Sequence, residues 1–283
     1  MLKRFVLLAA IGAALVTFAG SAGAITGNYT KDFTHDAVGL LVFYTPNTPA
    51  GEDPFSHRCS GTLITPTVMV TAGHCTAGVN DGRVYFAQSV APNYDPNAFG
   101  GWGGDPTTGY PYQNGVTFHR ADNYGFPAGF PQTKDAGVVV LDQPVTPANG
   151  FGVLPTDGAI DRYLAAAEDK KLARFTVSGY GLSDQDPRPV SFRERLTATS
   201  YAVEGESSFT DANLKTTANA SQGKGGTCNG DSGGPVYFYG TNIIAAVTSF
   251  GMNGQCKGLD FSYRLDRAAV LAWINDPNRV DAG

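Results

Sequence analysis

Short runs of β-branched and aromatic residues recur along this chain, separated by clusters of Gly, Pro, Asn and Asp. The runs are VGLLVFY (38–44), GTLITPTVMVTA (61–72), GVVVL (137–141), RFTVSGYG (174–181), GGPVYFYG (233–240) and NIIAAVTSFG (242–251). Short apolar runs bounded by turn formers predict strands, and their number predicts an all-β barrel or sandwich. Helical periodicity is scarce. LDRAAVLAWIN predicts one helix near the C-terminus, with Asp266 as its N-cap, Val270, Leu271, Trp273 and Ile274 on its apolar face, and Pro277 as its stop.

Two segments fall outside this pattern. The start, MLKRFVLLAAIGAALVTFAGSAGA, has basic Lys3 and Arg4, an apolar stretch from Phe5 and small residues at Ala22 and Ala24. That order predicts a secretory signal peptide over 1–24, leaving a domain over 25–283 and a secreted or periplasmic protein with no membrane attachment after cleavage. The segment 91–115 is rich in Gly, Pro and aromatic residues without apolar period. It reads as a long surface loop in preference to a Ca2+ site using Asp95 and Asp105, since no fixed ligand spacing is present.

Charge and cysteine content narrow the partners. The net charge is −5 over 283 residues with no basic run, and removal of Lys3 and Arg4 makes the remainder more acidic. This argues against nucleic acid or an anionic membrane surface. Four cysteines in a chain bound for an oxidising compartment predict two disulfides, with three pairings open. No Cys-x-x-Cys occurs, which argues against a structural zinc site, and no metal or other cofactor is expected.

The chemistry concentrates in CNGDSGGP, 228–235, where glycines surround Ser232. Glycine enters left-handed conformations freely and lets main-chain N–H groups gather on a tight turn. A serine nucleophile needs an adjacent base, usually a histidine oriented by a carboxylate. Of the four histidines, His35 and His119 sit in polar surroundings and His57 in a predicted loop. His74 ends TVMVTAGHC behind the small Ala72 and Gly73, which leaves its ring room to face a cleft. Asp135 stands at the entrance of the apolar run GVVVL, whereas Asp142 stands at its solvated exit. GDSGG also fits the Gly-x-Ser-x-Gly elbow of α/β-hydrolases, but that architecture needs a histidine after the serine and none follows Ser232.

TAGHC (71–75), DAGVVVL (135–141) and GDSGGP (230–235), in that order and with SFG (249–251), resemble the trypsin/chymotrypsin-like serine proteases. The resemblance implies two antiparallel six-stranded β-barrels with an active-site cleft between them, and a short C-terminal helix. It makes Ser232 the nucleophile, His74 the general base and Asp135 the carboxylate that orients it, with the N–H groups of Gly230 and Ser232 as the oxyanion hole. Ser249 matches the hydrogen-bond partner of the aspartate, and Ser249, Phe250 and Gly251 match a segment that pairs with extended substrate. The implied disulfides are Cys59 with Cys75 and Cys228 with Cys256.

The departures from the family pattern carry expectations too. Ala136 and Gly137 are smaller than usual after the aspartate. Gly226 stands at the pocket base in place of an acid, and Asp260 is expected at the pocket wall, its competing roles being a solvated acid or a partner for Arg264. Signal cleavage would free Ile25, whose ammonium would pair with Asp231. The implied function is a secreted, monomeric serine endopeptidase cutting protein or peptide substrates through an acyl-enzyme and open to protein inhibitors. The alternative is an inactive pseudoprotease that binds partners.

Overall fold

All seven residues of the run Val38–Tyr44 are buried, and the two faces of this strand feed different cores. Leu41 and Phe43 pack with Leu63, Met69 and Phe118, while Leu40, Val42 and Tyr44 pack with Tyr180, Tyr237 and Val247. Side chains alternate along a strand, so a run that is apolar throughout is one that lies between two cores. The computed structural model describes residues 25–44, 55–90, 114–129, 132–183, 193–203, 211–219 and 223–279. The segment 1–24 expected to be a signal peptide, together with Asp95 and Asp105, lies outside the described residues.

The strands in the first half are β1 Thr26–Gly27, β2 Tyr29–Lys31, β3 Val38–Tyr44, β4 Phe55–Leu63, β5 Val68–Thr71, β6 Asp81–Tyr85, β7 Val116–Asn123 and β8 Gly137–Leu141. Those in the second are β9 Arg174–Gly179, β10 Leu196–Tyr201, β11 Asn213–Ala218, β12 Gly225–Gly226, β13 Pro235–Phe238, β14 Ile244–Gly251 and β15 Gly258–Arg264. Three short helices join them, α1 Gly73–Thr76, α2 Ala159–Ala166 and α3 Ala268–Asn275.

The order β3-β4-β5-β8-β7-β6 closes on itself as an antiparallel barrel. The second sheet runs β11-β15-β14-β13-β9-β10-β2. The chain just past β10 meets β11 through a bridge from Ala202 to Thr216 and a bond from the Val203 amide to the Lys215 carbonyl at 3.0 Å. A second six-stranded barrel is thereby closed by a bridge instead of a full ladder, with β2 added along the start of β10. The expected two-barrel architecture is present, and each barrel has an interior core while a third core fills the space between them. Full burial of each large apolar side chain there contributes about 1.5–3 kcal/mol.

A buried polar cluster ties the N-terminal segment to both barrels. Asp32 accepts the Ser178 hydroxyl at 2.6 Å and the His35 ring at 2.8 Å, and that ring stacks on Tyr237. Arg195 donates to the carbonyls of Asp32, Val38 and Phe86. Burial works to raise the Asp32 carboxyl, but His35 and Ser178 outweigh it and bring it down to about 2.

The C-terminal helix forms as expected, with Val270 and Ile274 buried, but its cap differs. The N-cap is Arg267, whose side chain makes no capping bond to the helix. Asp266 instead holds Arg264 and the amide of Ile160 in α2.

Candidate active site

His74 sits in the single turn α1 that follows β5. The turn fits because its neighbours are small. A Cβ on Gly73 would lie 3.0 Å from the Ala136 carbonyl, and one on Gly137 would lie 2.7 Å from both the Ala72 carbonyl and Thr76 Oγ1. The small Ala136-Gly137 pair is therefore what lets β8 pass close enough to bring Asp135 under His74. Asp135 is 1% exposed. It accepts the His74 amide at 2.7 Å and lies 2.9 Å from the ring Nδ1. Ser249 donates its hydroxyl to the same carboxylate. Burial alone would raise the Asp135 carboxyl, but hydrogen bonds and charge from His74, with the Ser249 hydroxyl, hold it below its ordinary value.

Ser232 lies on a turn built by two left-handed glycines, Gly230 at φ 96° and Gly233 at φ 76°. A Cβ on Gly233 would lie 2.0 Å from Thr71 Oγ1 and 2.6 Å from the Ala72 amide, so the serine turn is pressed against the segment leading to His74. The Ser60 amide donates to the Ser232 carbonyl at 2.8 Å, and the Ser60 hydroxyl donates to the Gly230 carbonyl at 3.0 Å. The Asn229 carbonyl accepts the Leu182 amide. These bonds fix the peptide planes, and among the described residues neither the Gly230 nor the Ser232 N–H has an acceptor.

Behind the serine, Asp231 is fully buried. It accepts the amides of Gly181 and Cys228 at 2.8 and 2.9 Å, and also the amide of Ile25. Burial is the main cause of a carboxyl pushed up to about 7, with the charge of Asp260 adding to it and the backbone bonds opposing it. Ile25 is itself fully buried, and Thr26 pairs with Gly226 in the β1–β12 ladder.

Beside Ser232 opens a pocket lined by Thr227, Thr248, Ser249, Gly251 and Asp260. Asp260 is 3% exposed and its Oδ2 accepts the Thr227 amide at 2.7 Å and hydroxyl at 2.9 Å. A Cβ on Gly226 would stand 2.8 Å from that oxygen. Both competing roles for Asp260 fail: it is not solvated, and Arg264 is paired with Asp161 and Asp266 at 2.8 Å each. Burial, only partly offset by Thr227, pushes the Asp260 carboxyl up to about 7. Phe250 stacks on Phe261 at 4.9 Å. β13 stops pairing with β14 at Val247, so beyond Thr248 the segment Ser249–Gly251 has β15 along one edge and leaves the other open.

The disulfides join Cys59 to Cys75 and Cys228 to Cys256. Ligand atoms of Cys59, His74 and Cys75 lie within 4.8 Å of one another, but the bridge leaves no thiolate there to bind a metal. Several residues of the site carry no sequence signal. Thr227 holds Asp260, Phe126 packs edge-on to the His74 ring, and Asn123 donates to the Gly73 carbonyl at 2.6 Å. Each acts through a contact between distant segments, and only the Asn123 position, at the end of a strand, has a local pattern.

Two antiparallel barrels with a histidine, a buried aspartate and a glycine-flanked serine between them define the chymotrypsin-like class. The chain belongs to the Trypsin family, whose sequence model matches residues 43–274. It is 27% identical to trypsin zeta of Drosophila melanogaster over 76% of this chain and 72% of that protein. It is 28% identical to human chymotrypsin-like elastase family member 1, over 78% and 81% respectively. The solved HL collagenase structure superposes with a TM-score of 0.60 at 18% identity, covering 85% of this chain and 94% of the other.

Proposed function

We propose that this chain is a secreted serine endopeptidase. The observation that carries the proposal is the double hold of buried Asp135 on His74, at the backbone amide and at Nδ1. That hold keeps the proton on Nδ1 and leaves Nε2 free to act as a base. As Ser232 Oγ attacks the substrate carbonyl, its proton passes to His74 Nε2. The N–H groups of Gly230 and Ser232 receive the oxyanion, and His74 then protonates the leaving amine. Water repeats the sequence on the acyl-enzyme. An oxyanion donor of this kind is typically worth about 10²–10³ in rate.

Extended substrate adds as a strand along Ser249–Gly251, and the side chain before the scissile bond enters the pocket beside Asp260, which favours a basic residue. Residues 1–24 act as a leader. Its removal turns the Ile25 amide at Asp231 into an ammonium and gives that buried carboxylate its counter-charge. The processed enzyme acts as a monomer on protein or peptide substrates and is open to protein inhibitors. A fluorophosphonate probe tests the proposal: Ser232 is expected to be labelled and Ser232→Ala not. Absence of label on folded protein would leave a pseudoprotease that binds without cleaving.

A further inference from the structure

Every polar atom of Ser60 is engaged where the two barrels meet. Ser60 lies in β4 and is fully buried. Its amide donates to the Ser232 carbonyl at 2.8 Å, and its hydroxyl donates to the Gly230 carbonyl at 3.0 Å. The same hydroxyl accepts the Tyr180 amide at 3.0 Å. The Ser60 carbonyl accepts the hydroxyl of Thr71, at the end of the strand that leads to His74, at 2.8 Å. An amide can only donate, so the bond from Tyr180 occupies a lone pair of the Ser60 hydroxyl and leaves its proton for Gly230.

These bonds act on the turn that carries Ser232. Gly230, at φ 96°, has no side chain to hold its conformation, and a glycine changes φ and ψ at little cost. The peptide plane on its N-terminal side is held by the Leu182 amide at the Asn229 carbonyl, 2.7 Å. The plane on its C-terminal side is held by the Ser60 hydroxyl. With both planes fixed, the Gly230 N–H has one direction. The second barrel presents glycines where Ser60 enters: a Cβ on Gly179 would lie 3.1 Å from Ser60 Oγ, and one on Gly234 would lie 3.3 Å from Ser60 Cβ.

We propose that Ser60 is a positioning residue for the oxyanion hole, its hydroxyl keeping the Gly230 N–H aimed at the reacting carbonyl oxygen. This rests on Ser232 being the nucleophile. The hole is then built from the second barrel and held in shape by the first, so the seating of one barrel on the other reaches its donors directly.

The test compares the full enzyme with Ser60→Ala, which removes the hydroxyl and leaves the amide that bonds Ser232. Titration with the fluorophosphonate probe counts competent sites, so kcat is read per active enzyme. On one peptide substrate, kcat is expected to fall by on the order of tenfold with KM nearly unchanged, less than the roughly 10²–10³ lost with an oxyanion donor itself. A peptidyl boronic acid of the same sequence adds to Ser232 Oγ without a leaving group, the serine proton passing to His74, and mimics the tetrahedral transition state. Its affinity is expected to fall by the same factor as kcat. Ser200→Ala is the control, because the Ser200 hydroxyl is equally buried and ties β10 to the Thr217 carbonyl of β11 at 2.7 Å. It is expected to lower the melting temperature and to leave kcat and boronate affinity as they are. Unchanged kcat and boronate affinity in Ser60→Ala overturn the proposal. So does a loss confined to KM, or one that Ser200→Ala reproduces. Those outcomes leave the endopeptidase reading standing, whereas a wild type that takes neither probe nor boronate and turns over no peptide removes both.

Discussion

Asp157 Oδ1 accepts the Ala268 amide at 2.9 Å while Asp266 Oδ2 accepts the Ile160 amide at 2.8 Å, so each aspartate caps the helix that follows the other. The two are unequal. Asp157 makes a surface cap, but Asp266 is fully buried and also holds Arg264 through two bonds of 2.8 Å. Asp157→Ala is expected to cost about 1 kcal/mol, the usual value of an N-cap. Asp266→Ala, which takes the buried partner from the Arg264 guanidinium and leaves it only the exposed Asp161, is expected to cost about 3–5 kcal/mol. Urea unfolding of the two variants checks this, and equal losses would contradict it.

Asp32 links stability to acid. Its carboxyl lies at about 2 in the folded protein against 3.8 ordinarily, so between these values the unfolded chain binds more protons. The stabilisation is present above the unfolded value and is lost as pH falls through that window. Thermal melts are expected to drop over it, and Asp32→Asn to be less stable near neutrality with a shallower acid slope. An acid slope unchanged by the substitution would show that Asp32 is not part of it.

The pocket carboxyl predicts pH-dependent selectivity. Asp260 titrates at about 7, so it gains charge as pH rises through neutrality and attracts a cationic side chain more strongly. The ratio of kcat/KM for arginyl over leucyl substrates is expected to climb between about pH 6 and about pH 8, since each tenfold in affinity is about 1.4 kcal/mol. The ratio cancels any change common to both substrates. Asp260→Asn should flatten the profile; a profile of the same steepness would remove Asp260 from selectivity.

At the proposed catalytic pair, His74 and Asp135, Asp135→Asn is expected to fold and to lose roughly 10⁴ in turnover, because an amide holds the wrong histidine tautomer. Ser249→Ala removes one donor to the same carboxylate and should cost less. Burst kinetics on an activated ester separate acylation from release. A crippled Asp142→Asn beside an active Asp135→Asn would reverse the assignment of the acid.

The proposed processing ahead of Ile25 supplies the last prediction. An extension left ahead of Ile25, or Asp231→Asn, removes one partner of the proposed buried pair, a change that typically costs about 3–5 kcal/mol. Turnover is expected to vanish while far-UV circular dichroism stays native. Full activity in an extended variant would show that the Gly230 turn is organised without the ammonium.

What the chain discloses locally and what it conceals follow from the range of the contacts involved. β3 and β8 are legible because each is buried on both faces and so reads as an unbroken apolar run. The serine turn is legible because its left-handed positions demand glycine. The helix α2 is hidden, since the aspartate that caps it lies 106 positions away, and the same residue is mistaken for the cap of α3 because it stands next to it in sequence. β1, β2 and β12 are two or three residues long and carry no apolar run, so only their partners reveal them. Ser60 and Thr227 matter through what they touch across the fold, and nothing in their neighbourhood announces it.

Each disulfide lies within one half of the molecule, at sequence separations of 16 and 28, and neither crosses the cleft. The segments that carry Ser232 and His74 therefore meet across a seam that no disulfide fastens. The gauge of that seam is the missing side chain of Gly233, whose place Thr71 and Ala72 already fill. In the proposed mechanism, alignment of the reacting atoms is set by contact between two faces, as in a die closed on its stop, and any atom added at residue 233 would act as a shim that opens the tool.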